Sequence, residues 1–158
     1  MRAARHVLDW TLRLSTAAAL AIDAYVHADL IDLYARNRSD GLSQGDLFRI
    51  EAAVSALAAL LVLGLPSARR LVWALAFVVA ASALGGVLIY ANYDLGAIGP
   101  IPDMYEPSWY GEKTLTAVAE AVAAGTAVLG FLVASHATGR ATGRDAAKAA
   151  SSNTTARV

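Results

Sequence analysis

The chain has 158 residues, 57% of them hydrophobic, with a mean hydropathy of +0.48 and a formal net charge of zero. Only 16% is charged, against roughly 25% in ordinary soluble proteins, which argues against a soluble globular domain and for a membrane protein. Cysteine is absent, which excludes disulfides, thiol redox chemistry, thiolate metal sites and Fe–S clusters.

The first apolar stretch predicts a helix over 7–27, uncharged from Leu14 to Ile22 and closing on Asp23 and His27. A cleaved signal peptide competes for this segment, because Ala19-Leu20-Ala21 has the small-x-small form of a cleavage site. The short apolar run before it, and Asp9 and Trp10 within the n-region, weigh against cleavage. A second helix is predicted over 47–66, carrying Glu51 near its start and no charge from Ala52 to Ala68. The third, 70–93, is uncharged from Leu71 to Tyr93; the fourth, 113–137, is interrupted only by Glu120. A bilayer core needs about 20 helical residues, so all four can span. The second and third show no polar face at helical period, which a soluble bundle would require. Small-residue rows at Ala117, Ala121 and Gly125, and at Ala52 and Ala56, are candidate helix contacts. The fold class is therefore all-α, a polytopic membrane protein built as a four-transmembrane-helix bundle over 1–139. Residues 140–158, rich in Ala, Ser, Thr and Arg without apolar periodicity, read as a disordered cytoplasmic tail.

Basic residues set the orientation. Arg2, Arg5 and Arg13 flank the first helix, Arg69 and Arg70 the turn between the second and third, and Arg140, Arg144, Lys148 and Arg157 the tail. The other two connections carry only Arg36, Arg38, Arg49 and Lys113. The positive-inside rule then places both termini in the cytoplasm and loops 28–47 and 94–112 outside, in a cell-membrane protein. Those loops are acidic, through Asp29, Asp32, Asp40, Asp46, Asp94, Asp103, Glu106 and Glu112. This is either a solvated outer surface or a weak binding surface for divalent cations or a cationic partner. In the second loop, Pro100, Pro102 and Pro107 fix backbone angles, and Tyr105, Trp109 and Tyr110 are aromatics of the headgroup layer. It reads either as an aromatic belt or as a lid formed by Tyr105, Glu106, Trp109 and Glu112.

The chemistry concentrates in one layer. Asp23 and His27 share a helix face at i,i+4 spacing. At 1.5 Å per residue, Asp23, Glu51 and Glu120 lie about 7, 6 and 10 Å below the outer boundary. Lys113, seven residues before Glu120, is a counter-charge at the rim. Ionisable groups at membrane depth are costly and mark function by default. Three readings stay open: groups that pair to fix helix register, a proton or small-ligand site, or a metal site of His27 with Asp23, Glu51 or Glu120. Bis-His haem ligation fails on geometry, since His27 and His136 sit at opposite ends of their spans and His6 is on the cytoplasmic side. No Ser–His–acid set and no phosphate-binding Gly loop is present.

Gly45-Asp-Leu-Phe-Arg-Ile-Glu51-Ala52, with Gly99-Pro-Ile-Pro-Asp-Met-Tyr-Glu-Pro-Ser-Trp109 and Glu112-Lys113, resembles an uncharacterised family of small actinobacterial four-helix integral membrane proteins. The resemblance covers residues 10–135 and carries no function with it. The layout is similar, in architecture only, to the DoxX group of small membrane proteins linked to redox pathways. Function is accordingly read as a non-enzymatic membrane protein whose Asp/His/Glu layer orders the bundle and can bind a proton or small ligand. The competing reading is a membrane oxidoreductase subunit holding a quinone or metal at that layer. The cofactor is open, with haem, Fe–S and disulfide chemistry disfavoured. The partners expected are the lipid bilayer and a second copy or a membrane-complex subunit, not nucleic acid.

Overall fold

The computed structural model describes residues 2–65 and 69–155, with side chains described over 3–65 and 70–135. Four helices follow one another: α1 (Arg2–Tyr34), α2 (Gln44–Gly64), α3 (Arg69–Asn92) and α4 (Gly111–Thr155). Each contains a stretch long and apolar enough to cross a membrane. They close into a ring in which α1 packs on α2 and α4, and α3 packs closely on α4 and only lightly on α2. The two ends of the bundle differ. One carries the connections 35–43 and 93–110 (the loop end); the other carries the start of α1, the end of α2 and the start of α3 (the terminal end).

The helix limits depart from the pattern in the sequence, for local reasons. α1 continues to Tyr34 rather than stopping near residue 27. Asp29 and Asp32 look like loop residues but lie on its exposed side, while His27, Leu30, Ile31 and Tyr34 turn inward at helical spacing. α2 begins at Gln44 because Ser43 caps it. The Ser43 hydroxyl accepts from the Asp46 N–H at 3.0 Å and the Asp46 carboxylate accepts from the Ser43 N–H at 3.0 Å, a reciprocal box that satisfies two otherwise orphaned donors. α4 runs to Thr155 instead of ending near 137, in keeping with its alanine content. The expected 140–158 tail falls beyond the last described side chain, and 156–158 lie outside the described residues altogether.

The core is made of small residues around a few large ones: Leu20, Val62, Trp73, Ala76, Ala80, Ala123 and Ala127. Alanine at the contacts lets helix backbones approach closely. The row on α4 that packs is Ala123, Ala127, Gly130 and Ala134, whereas Ala121 and Gly125 are exposed. On α2 the packing face is Ser55, Ala58, Ala59 and Val62, not Ala52 and Ala56. The rows were therefore right at Ala117, which is buried, and wrong at Ala121, Gly125 and Ala56, which are exposed, because alanine occurs on every face. Gly130 is required by its neighbour, since a Cβ there would lie 2.4 Å from the Trp73 indole.

The exterior reverses the soluble pattern. Leu33, Leu60, Leu71 and Val78 are each at least 60% exposed, while Asp23, Ser55, Thr16 and Glu120 are at most 1% exposed.

Candidate functional site

At the loop end, α1, α2 and α4 each send polar groups to one point. Asp23 and His27 stack one turn apart on α1, with His27 Nδ1 3.0 Å from Asp23 Oδ1 and 3.1 Å from the Asp23 backbone carbonyl. From α2, the Ser55 hydroxyl lies 2.7 Å from Asp23 Oδ2 and 3.0 Å from Glu51 Oε1. From α4, the Thr116 hydroxyl lies 2.5 Å from Asp23 Oδ1 and 3.3 Å from Glu120 Oε1. Asp23 is thus the hub, and the helices place it there by simple periodicity. Ser55 is one turn beyond Glu51, and Thr116 one turn before Glu120.

Acceptors outnumber donors in this cluster. Each hydroxyl has a single proton and can serve only one of its two carboxylates at a time. Glu120 is fully buried, and its Oε2 has no partner. A buried oxygen of that kind is costly to leave unmade, so it marks an unmet need in the cluster. The ligand atoms of Asp23, His27 and Glu120 all lie within 4.8 Å of one another. Glu51 is half-buried at the margin and joins through Ser55.

Above the cluster a cavity of about 370 Å³ opens where α2 and α3 part. Its wall is mostly apolar, from Val26, Leu30, Leu47, Ile50, Val87 and Ile101, with Gly86 and Ala83 of α3 leaving it wide. Its ionisable groups His27, Glu51 and Lys113 come with Thr116 from α1, α2 and α4, and Ser82 and Tyr90 add polar atoms from α3. An edge-on aromatic series, His27 to Phe48 and Phe48 to Tyr34, each at 5.1 Å between ring centroids, stiffens the α1–α2 side. The volume is within the range of small-molecule sites, roughly 300–1,000 Å³.

The 93–110 connection covers the cavity and is braced to the first loop. The Pro100 carbonyl accepts from the Leu42 N–H at 2.9 Å and the Ser39 hydroxyl at 2.8 Å, and Asn37 donates to the Asp103 carbonyl at 2.8 Å. Gly99, at φ +57, makes the turn that delivers Pro100. The Tyr34 and Tyr110 hydroxyls meet at 2.9 Å. Burial, then the Tyr34 hydroxyl, pushes the Tyr110 hydroxyl above the ordinary tyrosine range, so it stays protonated and available for that bond. The Ser108 backbone N–H and hydroxyl hold the Glu106 carboxylate below its usual range.

The sequence-derived lid is therefore only partly the residues that face the cavity. Glu106 lines it, together with Met104, Ile101 and Tyr110, which carry the covering role. Tyr105, Trp109 and Glu112 point to the exterior. Lys113 lines the cavity, but its ammonium donates to the carbonyls of Glu106 and, at 3.3 Å, Ser108, and sits 5.3 Å from the Trp109 ring centroid. Its hydrogen bonds thus go to the loop and not to the carboxylate layer, because the charge reaches carbonyls and an indole face first. Ser55 and Thr116 carry much of the site and were not singled out from sequence. The signal was present as a hydroxyl four residues from each glutamate.

A second buried ionic group lies at the terminal end. Arg13, 1% exposed, pairs with Asp9 at 3.1 Å, donates to the Val62 carbonyl in the last turn of α2 and lies 5.4 Å from the Trp73 ring centroid. In the sequence, Arg13 reads only as a charge flanking the first helix. No family model, curated protein or solved structure matches the chain, so the site stands on its own geometry.

Proposed function

We propose that this chain is a small multi-pass protein of the cell membrane, with both termini cytoplasmic, that holds a small lipid-soluble molecule in the cavity at its loop end. The protein is non-enzymatic in this reading, and the Asp23–Ser55–Thr116 network fixes the register of α1, α2 and α4. The exposed leucine surface and the arginine-rich terminal end support membrane insertion in this orientation. The observation that carries the binding reading is the cavity of about 370 Å³, apolar on most of its wall and polar at His27, Glu51 and Lys113. That distribution suits an amphipathic ligand with an apolar body and one hydrogen-bonding head. The parting of α2 and α3 gives such a molecule a path from the lipid.

Native mass spectrometry of the full chain released from mild detergent tests this, paired with Gly86→Leu. Gly86 lines the cavity, and a Cβ there meets nothing within 4 Å, so a leucine side chain has room to start into the space. The expected result is a retained small molecule in the wild type that is lost in Gly86→Leu at unchanged or raised thermal stability. A wild-type chain that retains nothing, or a Gly86→Leu chain that retains as much, overturns the proposal. Recovery of a quinone would instead favour the oxidoreductase-subunit reading.

A further inference from the structure

We infer that Asp23, His27 and Glu120 form a binding site for a divalent first-row metal ion of the zinc class, at the floor of the cavity. Three observations converge on it. The three ligand atoms come from two helices and lie within 4.8 Å of one another, all in buried residues. Two donors on one ion at about 2.1 Å cannot be more than about 4.2 Å apart. Side-chain shifts of well under about 1 Å therefore bring the set onto one centre.

The second observation is the unpartnered Oε2 of Glu120, on a side chain with no exposed surface. A cation supplies what that oxygen lacks. The third is the balance of charge and protons. Three carboxylates share two hydroxyl protons and one imidazole, and Lys113 is turned toward the loop carbonyls. Among the described residues, His27 is the single side chain paired to this layer that can carry positive charge. A divalent ion offsets the carboxylate excess in one step, with His27 neutral and acting as ligand. One imidazole nitrogen with two carboxylate oxygens is a donor set that zinc accepts, with its fourth position left open. Ser55 and Thr116, hydrogen-bonded to Asp23, would then orient a ligating carboxylate from behind.

The test is isothermal titration of Zn²⁺ into chelator-stripped full-length protein in lipid nanodiscs, with elemental analysis of protein prepared without chelator. Saturable uptake of one equivalent is expected in the wild type, and loss of that uptake in His27→Gln and Glu120→Gln. Thr116→Val should weaken it about tenfold through the second shell, and Glu51→Gln should leave the stoichiometry intact. Circular dichroism confirms that each variant is folded, and the wild-type stoichiometry decides the matter even if one is not. No saturable Zn²⁺ uptake in the wild type, or equal uptake in Glu120→Gln, overturns the inference and leaves a protonated carboxyl group as the account of Glu120. Gly86→Leu keeps all three ligands and should still take up Zn²⁺, so failure of the cavity reading and failure of the ion site are separate outcomes.

Discussion

The two ends of the bundle bury ionic groups in opposite ways. At the terminal end, Arg13 is enclosed by packing, with Asp9 on one side, the Val62 carbonyl on another and the Trp73 indole nearby, that indole pressed against Gly130, although Arg13 Nη2 and Trp73 Nε1 make no hydrogen bond among the described residues. At the loop end, Asp23, His27 and Glu120 are also buried and also keep an unpartnered atom, Glu120 Oε2, but a cavity adjoins them. A charge that is buried for stability is surrounded and closed off. The loop-end cluster instead keeps surplus acceptors beside open volume. The same cost of desolvation is thus met inside closed packing at one end and beside open volume at the other.

The contrast predicts where substitution hurts most. Arg13→Met removes the cation from a closed ionic site and leaves Asp9 without the guanidinium, so the loss of stability should be about 3 kcal/mol or more. Changing Asp9→Asn as well should recover part of that loss, because a neutral pair is cheaper to bury. Thermal midpoints in detergent, measured for both variants, check this. An Arg13→Met chain as stable as the wild type would show that the terminal end is not the structural half.

Gly130→Ala comes next. The added methyl group overlaps the Trp73 ring, and the indole has little room to retreat because it is 1% exposed. Overpacking of this kind costs about 1–3 kcal/mol. Gly125, five residues before it and exposed, has nothing within 4 Å of its Cβ position. Gly125→Ala should be neutral or slightly stabilising, which makes the pair an internal control. Equal midpoints for the two alanine variants would remove Trp73–Gly130 as the anchor of the closed end.

How much of this could be read from the chain follows from which signals survive an alanine-rich background. The spans were legible because the charge-free stretches are long, and the Asp23, Glu51 and Glu120 layer because charge is rare inside them. The phase of the packing rows was legible only in part, since the exposed alanine at 121 looks the same as the buried ones at 117, 123 and 127 until the neighbours are in place. The hydroxyl partners Ser55 and Thr116 were hidden by being ordinary residues in apolar helices, although each sits at i,i+4 from a glutamate. Arg13 was hidden by its position: a basic residue beside a span looks like a topological flag, and its i,i+4 spacing from Asp9 was the clue to a buried pair. Lys113 had the right depth, but no sequence pattern shows that loop carbonyls lie nearer to its ammonium than the carboxylates do.

The smallest effect should come from the brace over the cavity. Tyr110→Phe removes the 2.9 Å bond between the Tyr34 and Tyr110 hydroxyls while keeping the ring that lines the cavity. One hydrogen bond of this kind contributes about 1 kcal/mol, and the Tyr34 hydroxyl, half-buried, loses its partner. Because the bond ties α1 to the covering loop and not to the packed core, its loss should act locally. Hydrogen exchange should quicken over residues 93–110, and a molecule held in the cavity should leave faster, while α3 and α4 near Trp73 stay protected. Local opening of this kind needs far less free energy than global unfolding, which is why exchange is a sharper readout than the thermal midpoint. Uniformly faster exchange along the whole chain would mean that the loop end is as much a part of the cooperative core as the terminal end, and the division between a closed half and an open half would fail.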